Sequence, residues 1–160
     1  MPIVNNVTRF LDSQKIHYSA FETPAEKLGA EGTAEFLGVP LAFIYKTIVV
    51  KRERGKPILA VVPGNGEVDL KRLAAALDEK KVHLPTEKEA EGLTGLQAGG
   101  ISPLALINKG FQVIIDTSAQ AQAEIHVSGG QRGLNIRLAP VDLARLTRAS
   151  FGSIIKEARP

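Results

Sequence analysis

The stretch Ile44-Tyr45-Lys46-Thr47-Ile48-Val49-Val50 decides how the fold is read. It is rich in β-branched and aromatic residues. Pro40 before it and the charged run Lys51-Arg52-Glu53-Arg54-Gly55-Lys56 after it bound it as a strand. Side chains alternate across a strand, so Ile44, Lys46, Ile48 and Val50 share one face while Tyr45, Thr47 and Val49 share the other. Lys46 therefore lies in line with three aliphatic residues, on a strand apolar enough to be central. Two readings are open for it. An ammonium near a strand end reaches water along its apolar stem. One held in a pocket grips phosphate or orients a polar substrate.

Outward from this strand, Pro57 leads into Ile58-Leu59-Ala60-Val61-Val62, an apolar run expected to pair antiparallel with it as a hairpin. Upstream, residues 30–37 read as a helix that Gly38 ends and Pro40 cannot continue. Earlier still, Ile3, Val7, Phe10, Leu11 and Gln14 follow helical spacing, and 16–22 is a short strand closed by Thr23-Pro24. Downstream, Pro63-Gly64-Asn65-Gly66 is a turn, and Asp69 caps a helix with Leu70, Leu73, Ala74 and Leu77 on one face. Residues 82–84 suggest a short strand, and Thr86-Glu87-Lys88-Glu89 has capping-box form. The stretch 96–104 has no clean periodicity. Strands are expected at 111–116, 124–127 and 134–138, a helix opens at Pro140 and runs through Leu146, and the last ten residues suit a short strand or helix. Strands and helices mix without regular βαβ alternation. The expectation is one α+β domain over 1–160, with a mixed, largely antiparallel sheet wrapped by helices.

Bulk properties narrow the function classes. With 160 residues, 44% hydrophobic and 23% charged, the chain has the composition of an ordinary globular protein rather than a disordered or fibrous one. It holds no cysteine, which removes a disulfide framework, a thiol nucleophile and a thiolate metal site. A formal charge of +3 allows a polyanionic partner without demanding one. Aromatic residues are 5% with no Trp, which argues against a surface that stacks many bases. No apolar run reaches membrane-spanning length and the N-terminus lacks a signal pattern, so the expectation is a cytoplasmic protein without membrane association.

His17, His83 and His126 are isolated, and the Glu124/His126 pair on one strand face cannot complete a metal site, so no metal is expected. Gly100-Ile101-Ser102-Pro103-Leu104 has the outline of a nucleophile elbow, but proline lacks the N–H that the oxyanion needs after the serine, and Leu104 replaces the closing glycine. No phosphate-binding loop and no dinucleotide fingerprint exist. The pairs Gly99-Gly100 and Gly129-Gly130 read either as turns or as places where bare backbone meets a ligand and polarises a carbonyl oxygen. Arg132 is either a phosphate-directed cation or a solvated loop tip. The basic run 51–56, with Lys80 and Lys81, reads as a solvated face.

Taken together, Tyr45-Lys46-Thr47-Ile48-Val49-Val50, Gly99-Gly100-Ile101-Ser102-Pro103-Leu104 and Ser128-Gly129-Gly130-Gln131-Arg132-Gly133-Leu134 resemble the YbaK-like family. That family includes the editing domain of bacterial prolyl-tRNA synthetases and its free-standing relatives, and the similarity runs from the first helix to Ala139-Pro140-Val141-Asp142-Leu143. The resemblance implies a mixed sheet curved toward a barrel and flanked by helices. It also implies hydrolysis of the ester joining a wrong amino acid to the 3′-terminal adenosine of tRNA, with no metal or cofactor. The implied partners are the aminoacyl-tRNA 3′ end and, as a second candidate, prolyl-tRNA synthetase.

Carried over by motif, Lys46 matches the family's essential lysine and Gly99 the glycine at the scissile carbonyl. Phe21, Thr47, Gly100, Ile101, Ser102, Ser128, Gly129, Gly130 and Arg132 are the expected substrate-binding residues. An aminoacyl ester is already activated, so positioning plus oxyanion stabilisation can supply much of the acceleration, with backbone N–H groups near Gly99 and Gly100 as donors. Two departures stand out. Ser19-Ala20-Phe21-Glu22-Thr23-Pro24 lacks the tyrosine and histidine that several members carry, and Thr47 stands where the alanine-editing branch has asparagine. This points toward the branches handling cysteine or other small residues. A non-catalytic tRNA- or synthetase-associated module and an esterase for another small acyl compound are the competing readings.

Overall fold

The computed structural model describes residues 3–157. In chain order the first elements are α1 (Asn6–Ser13), β1 (Tyr18–Glu22), α2 (Gly29–Leu37), β2 (Tyr45–Arg52), β3 (Ile58–Pro63) and α3 (Leu70–Ala76). They are followed by β4 (Val82–His83), α4 (Glu87–Thr94), β5 (Gln112–Asp116), β6 (Ile125–Ser128), β7 (Leu134–Leu138), α5 (Pro140–Thr147) and β8 (Ser150–Gly152). The strands form a five-stranded sheet in the order β4-β2-β3-β5-β8 and a three-stranded sheet in the order β1-β7-β6. Antiparallel pairing holds for β2 with β3 and β4, and for β7 with β1 and β6, while β5 runs parallel to both β3 and β8.

The apolar run 58–62 explains the centre of the large sheet. Every residue of β3 is buried, because the strand is paired on both edges and covered on both faces. Alternation then divides the core. Tyr45, Val49, Leu59, Val61, Val113 and Ile115 face the inner side of the small sheet, where Ile125, Val127, Leu134, Ile136 and Leu138 meet them. Val50, Ile58, Ala60, Val62 and Ile114 face the other way, onto Leu73 and Ala74 of α3 and onto Ile154. Each Val, Leu or Ile among them contributes about 1.5–3 kcal/mol of transfer free energy when fully buried, so β2 and β3 are held from two sides.

Several boundaries differ from the sequence expectation for identifiable reasons. Helix α1 starts at Asn6 rather than Ile3, because the Asn5 side chain accepts from the Thr8 N–H and Thr8 closes a capping box. The aperiodic stretch contains a 3-10 turn, Pro103–Leu106, capped by Ser102. Further 3-10 turns lie at Leu41–Phe43 and Thr117–Ala121. The chain's end forms strand β8, and Ile155 then bridges to Val68; residues 158–160 of that segment lie outside the described residues.

The expected α+β fold is the one observed, and its sheets stay open rather than closing into a barrel. They touch through one parallel bridge, Ile44 to His126, after which β6 diverges from β2. On the same edge β4 pairs with β2 only at Lys51 and Arg52. A wedge is thus left beside the middle of β2.

Candidate active site

That wedge is a cavity of about 420 Å³. One wall is β2 from Ile44 to Val49, and the far wall is Ala98, Gly99, Ile101, Ser128 and 133–135. Gly29, Ala30 and Thr33 of α2 cover one side, and Leu84 to Glu87 after β4 cover another. Of the expected site residues, the fold brings Lys46, Thr47, Gly99, Ile101 and Ser128 to this one cavity. Lys46 is half-buried in the strand wall and makes no ion pair or hydrogen bond among the described residues. Other lysines here do have carboxylate partners: Lys27 with Glu87, and Lys51 with Glu89 at 3.3 Å. An unpaired ammonium on a cavity wall is positioned to meet an anion or a polar ligand brought from outside.

The two glycine-rich loops reach the cavity by docking on each other. Gly100 packs so closely on the second loop that an added Cβ would lie 2.9 Å from the Gln131 Cα and 3.2 Å from the Arg132 nitrogen. Arg132 Nε donates to the Ala98 carbonyl at 2.7 Å, and the Ser128 hydroxyl points toward the Gly99 carbonyl at 3.5 Å. The first loop is also held from α4, where Glu91 accepts from the Ala98 N–H at 2.8 Å. The second is held from α1, where the Asn5 amide donates to the Gly129 carbonyl and to Gln131 Oε1, each at 3.0 Å. Gly99 itself has φ +90, a conformation that glycine adopts without steric cost. Its backbone is exposed to the cavity.

The remaining expected residues sit elsewhere. Ser102 is fully buried, and its hydroxyl accepts from the Leu104 N–H as a cap, which accounts for a serine before Pro103 without any chemistry. Gly129 packs beneath Leu134, and Gly130 lies against Val7 and Ala105. Gly100 donates its N–H to the Gln97 carbonyl at 2.8 Å, so it is not a free oxyanion donor as the sequence suggested. Arg132 acts first as a tie between loops. Phe21 lies on the outer face of β1, with the Arg137 guanidinium 5.2 Å from its ring centre and the His126 ring at 5.6 Å.

Sequence reasoning missed Asn135, Thr23, Thr33 and the Leu84-Pro85-Thr86 segment, all of which line the cavity. Asn135 Oδ1 lies 2.8 Å from His126 Nδ1, which ties the imidazole to the cavity wall. Burial pushes the His126 pKa below its ordinary value, and the Asn135 bond opposes that only in part. Burial likewise raises the Tyr45 phenol, whose hydroxyl is engaged with Ser118 at 2.8 Å. No local sequence signal marks Asn135 or Thr33, because only the folded chain places them opposite β2. Among the described residues no three His, Asp or Glu side chains converge as a metal site.

Comparison with known proteins identifies the family. A model of the aminoacyl-tRNA editing domain matches residues 25–146. The Enterococcus faecalis protein EbsC, named as a Cys-tRNA(Pro)/Cys-tRNA(Cys) deacylase, is 38% identical over 151 residues, covering 93% of this chain and 92% of that one. Proline–tRNA ligase of Trichlorobacter lovleyi is 28% identical over 136 residues, 79% of this chain but 23% of the ligase. A crystal structure described as a trans-editing enzyme for prolyl tRNA synthetase superposes with a TM-score of 0.81 at 24% identity, covering 97% of this chain and all of that one. On the family match and the full-length similarity to EbsC, the chain belongs to the aminoacyl-tRNA editing domain family.

Proposed function

We propose that this protein is a metal-independent, trans-acting deacylase that hydrolyses mischarged aminoacyl-tRNA. Its first substrate class would be tRNA for proline carrying cysteine, alanine or another small residue. The observation that carries the reading is an ammonium without a protein partner, Lys46, on the same cavity as the bare backbone of Gly99 and the hydroxyl of Ser128. Small residues on the walls, Gly29, Ala30 and Ala98 among them, suit an amino acid of small volume at the end of a bulky nucleotide.

In this reading Lys46 anchors the terminal nucleotide through phosphate or ribose oxygen, as a mobile point charge suits. Water, aided by the ribose 2′-hydroxyl, adds to the acyl carbon. The negative charge that develops on the acyl oxygen meets the Gly99 N–H. Collapse breaks the bond to the ribose 3′-oxygen, which takes up a proton, and releases the amino acid and uncharged tRNA. No protein nucleophile is needed, because alignment in a cavity supplies much of the rate. The whole chain would act as one editing domain in the cytoplasm, with prolyl-tRNA synthetase as a candidate partner in solution.

The test uses tRNA for proline charged separately with alanine, cysteine, serine and 2-aminobutyrate. Rapid loss of one ester, abolished in Lys46→Ala while the fold persists, supports the reading. Binding of the tRNA without turnover of any ester refutes it in favour of a non-catalytic module.

A further inference from the structure

The middle of β2 leaves one edge without a strand partner, and that edge faces the cavity. The Gly64 N–H donates to the Ile44 carbonyl at 2.6 Å, which makes Ile44 and Gly64 a hydrogen-bonded antiparallel pair. Alternation along the ladder then gives Lys46–Val62, Ile48–Ala60 and Val50–Ile58 as the bonded pairs. Pro63, which has no N–H to give, falls opposite Tyr45 at a non-bonded position, as this parity requires. The backbone groups of Thr47 and Val49 therefore point away from β3. On that side β4 begins only at Lys51, and the small sheet reaches only Ile44.

On that edge Thr47 has no ladder partner among the described residues. Its side chain repeats the pattern, since Oγ1 is buried with no hydrogen-bond partner among the described residues. Buried polar groups are almost always paired, so an unpaired rung with an unpaired hydroxyl beside it, lining a cavity, is the signature of a ligand's place.

An aminoacyl ester is one residue of extended chain. It carries an α-ammonium and an acyl oxygen at the spacing with which a β-residue exchanges two bonds with the residue opposite. Resting on the deacylase reading above, we propose that the aminoacyl group seats on the open edge of β2 as a single β-rung, its α-ammonium donating to the Thr47 carbonyl and its acyl oxygen accepting from the Thr47 N–H. Thr47 N–H then supplies the second oxyanion donor that Gly100, bonded to Gln97, does not. Thr47 Oγ1 takes a further bond from the ammonium or from the substrate side chain. Free α-ammonium esters are thereby selected over blocked ones, such as peptidyl or formyl esters.

The test is made on whichever aminoacyl-tRNA the parent protein hydrolyses. Thr47 is replaced by its α-hydroxy acid, so that an ester oxygen stands where the N–H was, and in a second arm the substrate's α-amino group is acetylated. Loss of one oxyanion donor lowers kcat by about 10²–10³-fold, and the α-hydroxy protein is expected in that range with its thermal melt nearly unchanged. The acetylated ester is expected to lose on the order of 10²-fold in kcat/KM, as a blocked charge-assisted bond would. Thr47→Val, which removes the unpaired hydroxyl at constant shape, is expected to melt higher than the parent while turning over more slowly. A parent that hydrolyses its ester, with an α-hydroxy protein that keeps pace or an acetylated ester cleaved equally fast, overturns the edge proposal alone. A parent that leaves every ester intact overturns the deacylase reading and the edge proposal with it.

Discussion

Gly100→Ala isolates the docking of the two glycine loops, because the glycine there is required by space rather than by backbone angle. Its φ lies outside the left-handed region, so alanine meets no torsional penalty. The new methyl would stand 2.9 Å from the Gln131 Cα and 3.1 Å from its carbonyl carbon, where ordinary contact begins near 3.4 Å. These are backbone atoms of a loop fixed by Asn5 and by Arg132, so no side-chain rotamer relieves the clash. The loops must separate by about half an ångström, and overpacking of this kind costs about 1–3 kcal/mol. For a chain of this size the midpoint of thermal unfolding then falls by about 2–12 °C. The same shift moves Ser128 and Gly99 relative to Lys46, and since a 1 Å misplacement costs about 10²-fold, turnover should fall on the order of 10-fold in the folded protein. The assay pairs a thermal melt with deacylation under single-turnover conditions at a temperature well below both midpoints. A Gly100→Ala protein that melts with the parent and cleaves at the parent's rate would show that the loops are not packed as described.

Lys46→Ala should lower deacylation by at least about 10²-fold with little change in the melt, since this half-exposed lysine has no described ion pair to lose, and Lys46→Arg should recover only part; a large drop in melting temperature would mark the residue as structural. His126→Gln should flatten the dependence of stability on pH. Burial holds His126 below its ordinary value, so the unfolded chain binds a proton that the folded one resists. Its contribution is complete above about pH 6.5 and is lost as pH falls through the folded value. Equal slopes for parent and variant between pH 7.5 and about 5 would refute that assignment. Arg132→Met should keep the apolar stem but free the Ala98 carbonyl, loosening the first loop and lowering turnover more than stability; an unchanged rate would mean the Arg132 tie is dispensable.

The apolar run at 58–62, the alternation through Tyr45 and Val49, the capping box at Thr86 and the proline opening α5 were all legible without coordinates. Each depends on neighbours close in the chain and on periods that a strand or helix imposes. The meeting of Lys46, Gly99 and Ser128 at one cavity was legible only as three short motifs taken together, since these residues owe their relation to no local pattern. Where the motifs misled, the cause was an unseen partner. Ser102 spends its hydroxyl on Leu104, Gly100 spends its N–H on Gln97, and Gly129 and Gly130 make room for Leu134, Val7 and Ala105.

Residue types and their spacing by themselves determined where most strands and helices lie and how the side chains of β2 and β3 alternate. They also determined that a lysine lies on an otherwise apolar strand. Tertiary structure alone decided that the sheets stay open beside β2, and that Asn135 and Thr33 line the resulting gap. It alone left Thr47 without a ladder partner on its outer edge among the described residues. The reason is physical: strand parity and apolar period are fixed within a few residues of chain. Which edge goes without a partner depends instead on where β4 and β6, some 30 and 80 residues further along, stop following β2.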